Sequence, residues 1–305
     1  MEVKPFFSVV VPTYNRSHRL AIALRSLQAQ QFQNFEVIVV DDGSTDDTKS
    51  MVLDLSEKDE RIIYLYKENE ERSIARNYGI QQARGSYVSF LDSDDIVYPN
   101  HLAEAHQLIE ENQFPEVCHL GYERITEQGV ILFQQNKLDE TLPDKMIFEN
   151  HMHGNAVFIK LQVAREYPFI QHRSATLGED WYVWLRLAAR FKIHINNIVT
   201  SAVIEHEARS LNNIDVDEYG ECVELIVQHL KRDPVFLSRY QRHASYFFSR
   251  QYSLAMLLAS LNKRTNSCLH FMSKAIYEDA GVCVSRRFLA SLKYFVFPFL
   301  IKSKV

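Results

Sequence analysis

Through its first hundred residues the chain alternates two hydrophobic periods. Phe7-Ser8-Val9-Val10-Val11 is a short, nearly continuous apolar run, the pattern of a strand buried on both faces. Beyond it, Ser17 can cap a helix whose apolar positions Leu20, Ala23, Leu24 and Leu27 recur at helical spacing. Residues 35–40 predict a second strand. Ser44 or Thr45 opens a second helix through Leu55, with Asp46 and Asp47 favourable in its first turn. A third strand is predicted at 61–65, a third helix at 73–83 and a fourth strand at 87–91, with Pro99 suited to the first turn of the next helix. Repeated strand–helix units of this length imply an α/β fold with a mostly parallel sheet, right-handed crossovers and flanking helices.

After residue 115 the pattern loosens. Residues 117–123 and 130–133 read as a hairpin, 155–159 as a strand, 178–190 as an amphipathic helix and 193–199 as another strand. From Asp215 strands give way to aromatic-rich helices at about 217–231, 234–262, 265–278 and 284–297. The expected organisation is a catalytic domain over 1–214 and a helical extension over 215–305, with the junction near 210–216.

Composition narrows the classes. Hydrophobic residues make up 46% and charged residues 24% of the 305, which excludes wholesale disorder. Four cysteines without CxxC spacing argue against a zinc ribbon or redox pair and fit a reducing compartment. The N-terminal segment lacks the pattern of a signal peptide, so a cytoplasmic location is expected. The net charge is −5, yet 285–305 holds five basic residues and no acid, which leaves −10 on the remainder. So acidic a body is a poor general nucleic-acid binder. Within 286–302 the apolar run Tyr294–Ile301 is too short to span a bilayer, and Pro298 breaks a helix there. Basic residues flank aromatic ones, the composition of a peripheral membrane contact; packing onto the body or a homodimer contact is the alternative.

Ligands of open parallel sheets bind at the carboxyl ends of the strands. Here those ends carry Pro12-Thr13-Tyr14-Asn15-Arg16, Asp41-Asp42-Gly43-Ser44 and Asp92-Ser93-Asp94-Asp95. Five carboxylates at neighbouring strand ends repel one another unless a cation lies among them, and an oxygen-rich, cysteine-free set selects Mn2+ or Mg2+.

Pro12-Thr13-Tyr14-Asn15, Val40-Asp41-Asp42-Gly43-Ser44-Thr45-Asp46, Ala75-Arg76-Asn77-Tyr78-Gly79 and Phe90-Leu91-Asp92-Ser93-Asp94-Asp95, in this order, resemble the signature of family 2 glycosyltransferases with the Rossmann-like GT-A fold. Gly178-Glu179-Asp180-Trp181, followed by Trp184-Leu185-Arg186-Leu187, resembles that family's catalytic segment. The resemblance covers roughly residues 6–210 and implies a metal-dependent, inverting transferase. Its donor is a nucleoside-diphosphate sugar, UDP by its prevalence among relatives. Its acceptor is a saccharide or lipid-linked saccharide, in bacterial surface polysaccharide assembly. The resemblance puts Pro12, Thr13, Tyr14, Asn15, Asp41 and Asp42 around base and ribose, and Arg76 near the diphosphate. Asp94 approaches the ribose, Asp95 binds the metal with Asp92 and Asp94 in the same element, and His206 contacts metal or phosphate or lies on the surface. Asp180 is the base, with Glu179 as the alternative. One departure concerns the loop before Ala75, where the family often has glycines and this chain has Glu70-Glu71-Arg72. An ion pair of Arg76 with Glu70 or Glu71 is the structural alternative for that arginine. His151 and His153 border the acceptor side and are weak as zinc ligands. A sugar nucleotidyltransferase would need a Gly- and Arg-rich loop after the first strand, which is absent, and a non-catalytic nucleotide-sugar-binding scaffold would not need intact carboxylates.

Overall fold

A computed structural model of the chain describes residues 4–175, 177–207 and 215–297. They fall into two compact units, one of 4–173 and 178–207 and the other of 174–175, 177 and 215–297. Residue 214, where the domain junction was expected, and the tail from Pro298 onward lie outside the described residues.

The first unit is built on nine strands: β1 (Phe7–Thr13), β2 (Phe35–Asp42), β3 (Ile62–Lys67), β4 (Tyr87–Phe90), β5 (Ile96–Val97), β6 (Val117–Thr126), β7 (Ile131–Gln135), β8 (Val157–Lys160) and β9 (Ile193–Glu205). They form one sheet in the order β3-β2-β1-β4-β8-β6-β9-β5, with β7 paired to β6. The sheet is parallel through β3, β2, β1 and β4. It turns mixed where β8 enters antiparallel between β4 and β6. The helices of this unit are α1 (Ser17–Gln28), α2 (Thr48–Ser56), α3 (Arg72–Gln82), α4 (His101–Glu111), α5 (Leu142–Lys145), α6 (Leu161–Glu166) and α7 (Glu179–Ala188).

The period-two alternation of β1 explains the layers. Val9 and Val11 join Leu20, Leu24 and Leu27 of α1 and Leu102 and Ile109 of α4 in one buried cluster. Val10 faces the other side, where α3 packs so closely that a β-carbon at Gly79 would overlap the Val10 side chain. Three expectations change. α2 begins at Thr48 because Asp46 stays outside it, its carboxylate accepting the Ser17 N–H at 3.1 Å and the Thr48 N–H at 3.0 Å. One acid therefore closes the N-termini of α1 and α2, and Ser17 is a helical residue rather than the cap. β9 runs on to Glu205 because its register with β6 continues to Thr126.

The second unit holds α8 (Val216–Lys231), α9 (Pro234–Tyr240), α10 (Ala244–Leu261), α11 (Thr265–Glu278) and α12 (Arg286–Val296). The long helix expected at 234–262 is two, separated by a turn at 241–243. Asp215, Asp233 and Ser285 cap α8, α9 and α12 with side-chain oxygens. α10 packs on α8, α11 and α12, and Phe236 meets Phe247 and Phe248 with ring centroids 6.5 and 6.1 Å away. No helix among the described residues is long and apolar enough to cross a membrane.

The α3–sheet contact gives a test of this packing. Gly79→Ala should lower the unfolding free energy by about 1–3 kcal/mol in urea titrations, the range for forcing a methyl into a filled core. An unchanged midpoint would mean that α3 stands further from β1.

Candidate active site

The carboxyl ends of β1, β2 and β4 open onto one side, and the side chains there mostly hold one another. Asn15 takes a φ of 50°, and its Oδ1 accepts the Thr45 N–H at 2.7 Å while its own N–H donates to Ser44 Oγ at 2.9 Å. Asp41 lies across from Thr13 in the β1–β2 register and accepts the Ser44 N–H at 2.8 Å and the Tyr64 hydroxyl at 2.7 Å. Thr13 Oγ1 is buried without a hydrogen-bond partner among the described residues, Pro12 is buried in β1, and Tyr14 is exposed at the rim.

Asp42 resolves the departure in the loop before α3. Glu71 adopts a φ of 78° and a ψ of 163°, backbone that glycine favours. Its N–H donates to Asp42 Oδ2 at 2.9 Å, and the Glu70 N–H donates to Oδ1 at 3.1 Å, beside the Lys67 ammonium at 2.8 Å. Two hydrogen bonds hold a conformation that glycine would adopt without strain.

Arg76 is buried and does not pair with Glu70 or Glu71. Its guanidinium donates to Asp92 Oδ1 at 2.7 Å and to Glu179 Oε1 at 2.9 Å. It stands between these two carboxylates, and the resemblance places it near the diphosphate. The next residue, Asn77, exchanges two hydrogen bonds of 3.0 Å with the backbone of Phe169. The Phe169 ring lies 5.3 Å from the Arg76 guanidinium and 6.1 Å from Trp184 of α7, which also meets Phe90 at the end of β4. Aromatic packing thus sets α7, and with it Glu179 and Asp180, beside the β4 carboxylates.

These carboxylates are in unlike environments. Burial opposes ionisation of Asp92, but Arg76 and His153 outweigh it and hold its carboxyl well below the usual range. At Asp180, burial and then the adjacent Glu179 charge push the pKa up to about 7, against the weaker pull of Arg76. Asp180 accepts its strongest hydrogen bond from the Trp181 N–H, at 2.6 Å, and a long one from Asn150 at 3.4 Å.

The β4 acids divide into two groups. Asp94 accepts from Arg16 and from His206 Nε2, the latter at 3.0 Å. Asp95 accepts from Asn155 Nδ2 at 2.8 Å and from the Ile204 N–H at 3.0 Å, while Asn155 Oδ1 accepts the Asp92 N–H at 3.2 Å. Ligand atoms of Asp92, Asp95 and His153 lie within 4.8 Å of one another. Two carboxylates and an imidazole make a donor set that fits a divalent cation. Asp94, which the resemblance directs toward the ribose, and His206, which it directs toward metal or phosphate, pair with each other. Reading along the sequence places Asn155 in a strand over 155–159 and gives it no role as a clamp, and it weighs His153 only as a weak zinc ligand on the acceptor side.

The sequence model described as "Glycosyl transferase family 2" matches residues 8–163. An uncharacterized glycosyltransferase of Rickettsia felis is 42% identical over 241 residues, a match covering 76% of this chain and 38% of that protein. The chain spans 38%, 30% and 26% of the first three rickettsial relatives it matches, well under two thirds of their length. A Campylobacter jejuni protein named GalNAc(5)-diNAcBac-PP-undecaprenol beta-1,3-glucosyltransferase is 28% identical over 247 residues, covering 69% of this chain and 78% of its own. Among solved structures, Staphylococcus aureus TarS 1-349 in complex with UDP-GlcNAc superposes with a TM-score of 0.70 at 21% identity, covering 95% of this chain and 88% of that one. That likeness shows a common fold.

The buried arginine generates a stability test. Arg76→Met strands Asp92 and Glu179 and should cost about 3–5 kcal/mol at pH 7 in urea unfolding, the range for breaking a buried pair from one side. Adding Glu179→Gln removes one stranded charge and should recover part of the loss. No recovery would show that Arg76 stabilises by packing rather than by charge.

Proposed function

The chain belongs to glycosyl transferase family 2, and from that premise we propose that it moves a sugar from a nucleoside-diphosphate sugar to an acceptor hydroxyl with inversion at the anomeric carbon. The single observation that carries this reading is the unequal treatment of two adjacent carboxylates. Glu179 is buried and neutralised by Arg76, whereas Asp180 has no cation among the described residues in its hydrogen-bonding shell, and burial with the Glu179 charge pushes its pKa up to about 7. A group poised near neutrality can take a proton in the reaction and lose it again to water, which is what a general base requires.

In the proposed reaction the acceptor oxygen forms a bond to the anomeric carbon on one face of the sugar. The bond from that carbon to the diphosphate oxygen breaks on the other, and the nucleoside diphosphate leaves with the electron pair. The acceptor's proton goes to an Asp180 carboxylate oxygen. One displacement with one base inverts the centre. Asp92, Asp95 and His153 would hold a divalent cation, Mn2+ or Mg2+, whose chemistry when bound is to neutralise charge on a leaving diphosphate. Asp41 and the buried Thr13 oxygen offer polar contacts for base and ribose, and exposed Tyr14 offers a ring at the rim. Arg76 acts through Asp92 and Glu179, fixing their charge and direction. A UDP-linked donor is supported by the ligand of the TarS structure. A lipid-linked saccharide acceptor is supported by the name of the Campylobacter relative.

Nucleotide release from a panel of UDP- and GDP-sugars with Mn2+ tests the reading. In the wild-type protein kcat/KM should fall about tenfold per pH unit below about pH 7, since the base works only when deprotonated. Asp180→Asn should lower turnover on the order of 10²-fold or more while keeping the nucleotide-dependent melting shift. Normal turnover in Asp180→Asn together with loss in Glu179→Gln would move the base to Glu179.

A further inference from the structure

Helix α12 has two faces of opposite character. Phe288 and Ser291 are buried, and the helix packs on α10. Its exposed positions are Arg286, Leu289, Lys293 and Val296, with Phe297 just beyond its end. At 3.6 residues per turn those four fall within about 80° of arc, so basic and apolar side chains alternate along one narrow stripe. Leu289, Val296 and Phe297 are 53%, 57% and 47% exposed. On the flank, Arg287 is half-buried, its guanidinium donating to the Arg250 carbonyl of α10 at 3.4 Å. Burial and then the Arg250 charge hold it below the ordinary arginine value. Neither α10 nor the stretch from Ala280 to residue 305 contains an Asp or Glu.

We propose that the exposed stripe of α12 docks this chain on a bilayer surface carrying anionic lipids. The inference is independent of the reaction assigned to the first unit. A helix of eleven residues is about 16 Å long, too short to span and long enough to lie in the plane of the headgroups. In that orientation Leu289, Val296 and Phe297 enter the acyl boundary, while Arg286 and Lys293 extend to the lipid phosphates. The mixture of residue types favours this occupant. Cations alone would serve any polyanion, but alternation with Leu, Val and Phe on the same arc needs a partner that is anionic outside and apolar just beneath. Each cation near such a surface contributes about fivefold in partitioning.

The full-length chain should cosediment with vesicles of phosphatidylglycerol and phosphatidylcholine, and far less with phosphatidylcholine alone, with binding weakened by salt. Arg286→Gln with Lys293→Gln should reduce the partition coefficient on the order of 25-fold. Leu289→Asn alone should reduce it about tenfold or more. Lys49→Gln, an exposed cation of α2, should leave it unchanged. Far-UV circular dichroism and thermal melting report that each variant is folded. Equal binding to both vesicle types, or equal loss with Lys49→Gln, overturns the proposal. So does a lipid-free dimer in sedimentation equilibrium that the α12 substitutions dissociate, because the stripe would then belong to a second copy.

Discussion

Arg76 is a buried cation held between carboxylates from distant parts of the chain, and the geometry of the candidate site follows from satisfying it. Asp92 lies at the end of β4, sixteen positions away, and Glu179 at the start of α7, one hundred and three away. Arg76 and Glu179 would each be costly to bury alone, and together with the partly exposed Asp92 the three carry one net negative charge rather than three isolated ones. Asn77 and Phe169 reinforce the same junction through reciprocal hydrogen bonds and the face of a ring. Glu179 is held by Arg76 as part of this junction, and at the adjacent Asp180 burial first and then the Glu179 charge push the pKa up to about 7.

The same economy runs through the other strand ends. Asn15 ties the turn after β1 to the turn after β2, and Asp42 supports the loop that leads into Arg76. Asn155 bridges the Asp92 backbone and the Asp95 side chain, so a residue from the turn just ahead of β8 fixes the spacing of two acids just beyond β4. Mutual support of this kind makes a site rigid before any ligand arrives, and rigid placement of charge is what transfer to a sugar carbon demands.

Much of this was legible in the sequence, for identifiable reasons. The β1 to β4 half follows from hydrophobic period alone, because buried parallel strands are continuous apolar runs and the intervening helices repeat every three to four residues. The acids at the strand ends were visible because chain order and the parallel-sheet rule put them on one edge. What stayed hidden depends on pairing that no period encodes. β8 enters antiparallel between β4 and β6, and only that insertion carries His153 and Asn155 to Asp92 and Asp95. Likewise a local search for a partner of Arg76 finds Glu70 and Glu71, while the fold supplies Glu179. The start of α2 was misplaced because Asp46 could serve inside the helix or as the acid that closes it, and composition does not choose between these.

The central claim is a single displacement at the anomeric carbon assisted by one carboxylate, Asp180. Its most direct test is the configuration of the transferred sugar, read by proton NMR from the anomeric coupling of the first product formed from an α-linked nucleoside-diphosphate sugar. The account predicts a β-linked product from the earliest time point. An α-linked product would contradict it, because retention cannot arise from one displacement with one base.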